Sequence, residues 1–310
     1  MPTIAKFSLV LVFGLAMLTI LAACSPLQTI NALTPGNTYQ RHADLAYGAD
    51  PRHRLDVYSP LSAAGQAPVV IFFYGGSWNS GERKDYEFVG EALASRGMVA
   101  VLADYRLYPQ VRYPEFLEDG AMAVAWIRRE ARRFGGDPKR MFLMGHSAGA
   151  YNAAMLALDP RWLAPYAMTP QDLRGWIGLA GPYDFIPIVN PAVRPVFFHP
   201  ATPPESQPIN HVSAAAPPAL LVAAKKDELV NPERNTGGLA RQLRAVGVPV
   251  DEFYFDRAGH ASLVAMLSRP LRGLVPVLEL TERFVMSDGG RTSSPAEPAV
   301  PASPPAKSSP

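Results

Sequence analysis

The segment that most constrains this chain runs from Arg140 to Leu156. Met141-Phe-Leu-Met144 is a short apolar run, long enough for a buried strand and too short for a helix. Gly145-His146-Ser147-Ala148-Gly149 follows, and Ala150 to Leu158 reads as a helix of small residues. A strand that turns into a helix through so few residues leaves little room. The serine must accept strained backbone, and side chains at the flanking positions would strike the strand and helix on either side. A turn of this kind presents a serine hydroxyl at the end of a sheet, where it can act as a nucleophile. It acquires chemical meaning only with a base, an acid and donors for an oxyanion.

The rest of the chain alternates in the same way. Val69 to Tyr74 and Met98 to Ala103 are continuous apolar runs, the pattern of strands buried on both faces. Trp176 to Ala180, Ala219 to Ala224 and Val250 to Phe255 are further short strands. Between them, Lys84 to Ser95 and Pro232 to Val246 read as helices. A third begins near Pro114, where Leu117, Ala121, Val124, Ile127, Ala131 and Phe134 form one apolar stripe. A last helix spans roughly Ser262 to Val285, interrupted near Pro270 and Pro276. Asp44 to Tyr47 and Arg54 to Tyr58, separated by Gly48-Ala-Asp-Pro51, predict a hairpin at a sheet edge. The expectation is an α/β fold, a doubly wound and mostly parallel sheet flanked by helices. Pro182 to Pro218 breaks the alternation and reads as an inserted proline-rich loop or small cap.

The ends are of a different character. After Lys6, an uncharged run from Phe7 to Ala23 has the form of a signal peptide, and Leu21-Ala22-Ala23-Cys24 resembles a bacterial lipobox. Residues 1–23 are then a signal peptide and Cys24, the single cysteine, a lipidation site that leaves no thiol for a disulfide. Several acyl chains on one residue would hold the protein stably on a membrane, outside the cytoplasm and on the periplasmic side of the outer membrane if the source is Gram-negative. Residues 24–40 are expected to be a tether, 41–286 the folded domain with its insert at 182–218, and 287–310 a disordered Pro/Ser-rich tail. A net charge of +2 gives no electrostatic case for nucleic acid.

Of six histidines, His260 is the best placed to serve as base, because Arg257-Ala-Gly-His260 follows the last predicted strand and catalytic groups gather at the carboxyl ends of strands. Asp227, at the end of the preceding strand, fits the order Ser, Asp, His, with Glu228 its near rival and Asp251 and Asp256 weaker ones. One oxyanion donor should be the amide of Ala148, the residue after the serine; the other should come from Tyr74-Gly75-Gly76-Ser77-Trp78, where glycines let backbone approach a substrate. Trp78 and Tyr151 are candidates for the substrate pocket. The chemistry needs no cofactor and no metal.

Taken as an ordered set, Leu55-Asp-Val-Tyr58, Tyr74-Gly-Gly-Ser-Trp78, Asp104-Tyr-Arg-Leu107, Gly136-Asp-Pro-Lys-Arg140, Gly145-His-Ser-Ala-Gly149, Asp227 and Gly259-His260 resemble the α/β-hydrolase fold. The likeness is to its esterase branch, shared by hormone-sensitive-lipase-like carboxylesterases, kynurenine formamidases and bacterial feruloyl-esterase-like proteins. The resemblance implies a carboxylic ester hydrolase with Ser147, Asp227 and His260 as triad and Gly75, Gly76 and Ala148 at the oxyanion hole. In one place the chain departs from the family: Tyr74 stands where a loop-bracing histidine is usual. Asp104 and Arg106 read as loop braces. An arylformamidase would use the same triad, and an inactive binding lipoprotein is the alternative of a different class. Neither the acyl group nor the oligomeric state is encoded in these motifs.

Overall fold

The computed structural model describes residues 26–62 and 66–290 of the 310. Cys24, the signal segment and residues 291–310 lie outside them. Eight strands form one sheet: β1 (Tyr39–Ala46), β2 (Arg54–Pro60), β3 (Ala67–Phe73), β4 (Val99–Ala103), β5 (Gly136–His146), β6 (Leu173–Leu179), β7 (Ala219–Ala224) and β8 (Val250–Phe255). Their order is β1-β2-β4-β3-β5-β6-β7-β8. The pairs β1/β2 and β2/β4 are antiparallel and all others parallel, which is the mostly parallel sheet expected. Positions in β3, β4, β6 and β7 are buried almost without exception, as happens when helices cover both faces of a sheet.

The helices are α1 (Pro26–Ala32), α2 (Glu87–Ala94), α3 (Glu115–Glu130), α4 (Ala148–Leu158), α5 (Gly238–Ala245), α6 (His260–Ala265) and α7 (Val277–Met286). The stripe in α3 is buried as its spacing demands, with Leu117, Ala121, Val124 and Ile127 inaccessible to solvent. Gly135, at φ 80°, then closes a 3-10 turn over Ala131–Phe134, a left-handed position that glycine occupies without cost. Helix α4 packs on β5 and β6 and is buried along its whole length, which explains its small residues: larger ones would hold it off the sheet.

Two expected boundaries shift. Residues 26–40 are not a free tether. Helix α1 docks by Leu27 and Ile30 on the core, and Asn31 donates to the Lys84 carbonyl at 2.7 Å and accepts from the Phe88 amide at 3.2 Å. Strand β1 begins at Tyr39, earlier than the Asp44–Tyr47 run suggested. At the other end, residues 287–290 remain packed: Asp288 pairs with Arg140 at 2.9 Å and the Gly289 amide donates to Phe284. The insert 182–218 carries no strand or α-helix, only 3-10 turns at Pro204–Ser206 and Pro208–His211. It is nonetheless well fixed. The Asn235 carboxamide oxygen accepts from the Tyr183 and Asp184 amides at 2.7 and 2.9 Å, the Gln207 oxygen accepts from Phe185 at 2.7 Å, and the Tyr113 amide donates to Val196 at 3.0 Å.

Candidate active site

Strand β5 delivers Ser147 at its carboxyl end, at φ 54° and ψ −121°, a conformation that non-glycine residues rarely hold. The Ser147 amide donates to Leu179 at the end of β6, and Ala150 and Tyr151 donate back to the Ser147 carbonyl, so the turn is fixed from both sides. The flanking glycines are required sterically. A Cβ at Gly145 would land on the Gly149 carbonyl, and one at Gly149 on the Phe73 carbonyl at the end of β3. Helix α4 starts at Ala148, directing its N-terminus and the positive end of its dipole toward the serine.

His260 opens α6 just after β8, and Asp227 lies just after β7. The structure brings the three residues into one line. The Ser147 hydroxyl is 2.8 Å from His260 Nε2, and His260 Nδ1 is 2.7 Å from Asp227 Oδ2. Because a carboxylate only accepts, Nδ1 carries the proton toward Asp227 and Nε2 is left to accept from the serine. Asp227 Oδ1 also accepts from the Leu229 and Val230 amides, both at 2.9 Å. Burial would raise the Asp227 pKa; the bond from His260 and these amides outweigh it and hold the carboxyl below the usual carboxylate range. The rival acids are elsewhere: Glu228, Asp251 and Asp256 are exposed, and Asp256 pairs with Lys225 at 2.9 Å. His53 and His211 are likewise engaged elsewhere, and of the other histidines among the described residues only His146, beside the serine, comes near His260. His53 meets Asp119 at 2.9 Å, and His211 meets the Glu205 carbonyl at 2.6 Å.

A cavity of about 120 Å³ opens at Ser147, Ala148 and His260. Ser77 and Trp78 wall it from the loop after β3, Phe185, Ile188 and Val193 from the insert, and Leu229 and Val230 from the loop after β7. Trp78 is where the sequence suggested. It is almost wholly buried, and its indole N–H donates to Asn152 Oδ1 at 3.0 Å. Tyr151 is not a wall residue. It is fully buried, its ring meets Trp78 edge-on at 5.0 Å, and its hydroxyl donates to the Ser206 carbonyl at 2.7 Å. It therefore supports Trp78 and ties the insert to α4. Ser77 and the insert residues carry no signal in the sequence beyond their nearness to motifs or prolines.

Gly75 and Gly76 do not line the cavity; they set the path of the loop that does. A Cβ at Gly75 would lie 3.0 Å from Ser147 Cβ. Gly76, at φ 128°, closes a turn in which its carbonyl accepts from Asn79 and Ser80 at 3.0 and 3.1 Å. Tyr74 braces this loop in place of the histidine that the resemblance implied. Its ring stacks on Tyr105 at 4.8 Å and on Tyr86 at 5.7 Å, and the Tyr105 hydroxyl donates to its carbonyl at 2.8 Å. Arg52 Nη2 donates to the Tyr74 hydroxyl at 2.7 Å and to the Gly81 carbonyl at 2.9 Å. Asp104 and Arg106 are braces too. Asp104 accepts from the Arg83 amide at 2.7 Å and pairs with its guanidinium, while Arg106 clamps Asp119 at 2.6 Å.

Residues 55–191 match the BD-FAE family model. The isoprenylcysteine alpha-carbonyl methylesterase ICME of Arabidopsis thaliana is 28% identical over 255 residues, covering 76% of this chain and 59% of that one. Esterase LipC of Mycobacterium tuberculosis is 30% identical over 227 residues, covering 67% of this chain and 56% of LipC. The chain thus spans a little over half the length of these curated relatives. Among solved structures, esterase 2 of Thermogutta terrifontis in its apo form superposes with a TM-score of 0.67 at 23% identity, over 84% of this chain and 98% of that one, a likeness that speaks for the fold. With this sheet order, a strained serine between β5 and α4, and these likenesses, the chain has the α/β-hydrolase fold.

Proposed function

We propose that the protein is a serine hydrolase that cleaves carboxylic esters through an acyl-enzyme. The single observation that carries this reading is the hydrogen-bonded line from Asp227 through His260 to Ser147. Ser147 Oγ attacks the ester carbonyl carbon as its proton passes to His260 Nε2. The tetrahedral intermediate collapses, the bond to the leaving alcohol breaks, and His260 returns the proton to that alcohol. A water then adds to the acyl-serine, with His260 again taking the proton, and the carboxylic acid leaves as Ser147 regains its hydrogen. Asp227 keeps the imidazole in the tautomer that can accept and stabilises the imidazolium. The oxyanion would be met by the amides of Ala148 and of the Gly75-Gly76-Ser77 loop, with Ser77 on the cavity wall.

Relatives named as esterases support ester cleavage over a binding role. The cavity, about 120 Å³, is somewhat smaller than one of about 150 Å³ that accommodates benzene, which favours short acyl groups. Carriage on a membrane through a lipidated Cys24 is part of the same proposal. Ser147→Ala is expected to keep the fold and abolish release of p-nitrophenol from p-nitrophenyl butyrate. It should also remove labelling by a fluorophosphonate probe. Persistent turnover by a clean preparation of that variant would reject the assignment.

A further inference from the structure

We propose that His146, the variable position between the first glycine and the serine of the turn, is a positioning residue that holds His260 in register with Ser147. The proposal rests on the reading of His260 as the base. His146 is buried, and its Nε2 lies 2.9 Å from the backbone carbonyl of His260. A carbonyl only accepts, so Nε2 carries the hydrogen and donates it. Nδ1 is then a bare lone pair, and it is buried without a hydrogen-bond partner among the described residues. It faces Gly75 so closely that a Cβ there would sit 3.1 Å from it. The two imidazole rings lie 5.2 Å apart. One side chain thus touches the three parts that must agree in position: the nucleophile's turn, the base and the glycine loop.

The cost of this arrangement argues that the one bond matters. An apolar residue of similar size would fill the space without desolvating a ring nitrogen that gains nothing in return. What such a residue could not supply is the N–H on His260. Asp227 fixes the far side of the His260 ring, but a side chain is only as well placed as its backbone, and His260 begins a helix of six residues directly after the Ala258-Gly259 turn. Burial, and then the nearness of His260, push the His146 pKa down to about 3. The donor is therefore neutral wherever the base is active, and it places no fixed charge beside the imidazolium that forms in the reaction.

The experiment compares His146→Leu, His146→Asn and His146→Gln with the unmodified protein. The readouts are kcat and KM on p-nitrophenyl butyrate and the rate of fluorophosphonate labelling of Ser147. The glutamine amide ends near the place of Nε2 and can donate to the His260 carbonyl; the asparagine amide falls short, and leucine has no donor. Leucine and asparagine are expected to lower kcat and the labelling rate about 10- to 100-fold with KM within about two-fold, as a small displacement of a catalytic group does. Glutamine should restore kcat to within about five-fold of the unmodified protein. Should His146→Leu fail to fold, the asparagine and glutamine pair decides alone. Equal activity in asparagine and glutamine variants, or a loss confined to KM, would overturn the positioning role. It would do so without touching the triad, provided Ser147→Ala is dead; turnover by Ser147→Ala would bring down both.

Discussion

Arg52 donates to the hydroxyl of Tyr74 at 2.7 Å, and this bond ties the chain just before β2 to the loop that walls the cavity at Ser77 and Trp78. The phenol stands where the resemblance to the esterase branch implies a histidine. It reaches further than an imidazole would, and it is held by ring stacking as well as by the hydrogen bond. Tyr74→Phe keeps the stack and removes the hydroxyl. It should cost about 1.5–3 kcal/mol of stability, the range for a hydrogen bond to a charged group, while leaving kcat within a few-fold. Tyr74→Ala removes the stack as well, and a drop in kcat of about ten-fold or more is expected from a displaced loop. Denaturant unfolding and steady-state kinetics on the two variants separate the contributions, and equal kinetics in both would show that the stack does not matter.

Gly149→Ala tests the close approach of the turn to β3. The new methyl group would collide with the Phe73 backbone, which cannot step aside as a flexible side chain could. A loss of about 1–3 kcal/mol or more is expected, together with weaker labelling of Ser147. Unfolding at the same midpoint as the unmodified protein would contradict the packing described here.

Acid should destabilise the fold through His146. Its pKa falls from the ordinary 6.5 to about 3 on folding, so the unfolded chain binds the proton first. A group depressed in this way costs nothing above the unfolded value and lowers stability progressively as pH drops from about 6.5 toward 3. Asp227, held below the usual carboxylate range, adds a second loss only lower, as pH falls through its own folded value. Thermal unfolding across this window should fall less steeply in His146→Gln than in the unmodified protein. Parallel curves would refute the assignment.

For the anchor proposed at Cys24, Cys24→Ser is expected to release the protein from membranes or to block its maturation. Fractionation of the expressed variant checks this directly. If it sediments with membranes as before, the lipid is not on Cys24.

The parts legible in the sequence were those governed by local rules. Met141–Met144, the two glycines and the small residues of α4 each report a constraint from their immediate neighbours, and Asp227 and His260 stand at strand ends where the alternation itself points. Long-range placement was less visible. Tyr151 follows the serine by four residues, and nothing local distinguishes a pocket wall from a buried support for Trp78; the Ser206 carbonyl that claims its hydroxyl is 55 residues away. Helix α1, of seven residues, is too short to show a period, and Asn31 docks it on residues 53 and 57 positions distant. Phe185, Ile188 and Val193 sit in an insert without strand or α-helix, so no repeat marks which side chains turn inward.

The docking of α1 also sets a length. Between Cys24 and Pro26 the chain, even fully extended, can span only about 7 Å. A lipid on Cys24 would then leave almost no slack, and the hydrolase would ride against the bilayer instead of sweeping the space above it. Esters would have to diffuse to the enzyme along or near the surface, and widening its reach would take an insertion between Cys24 and α1, not a change at the active site.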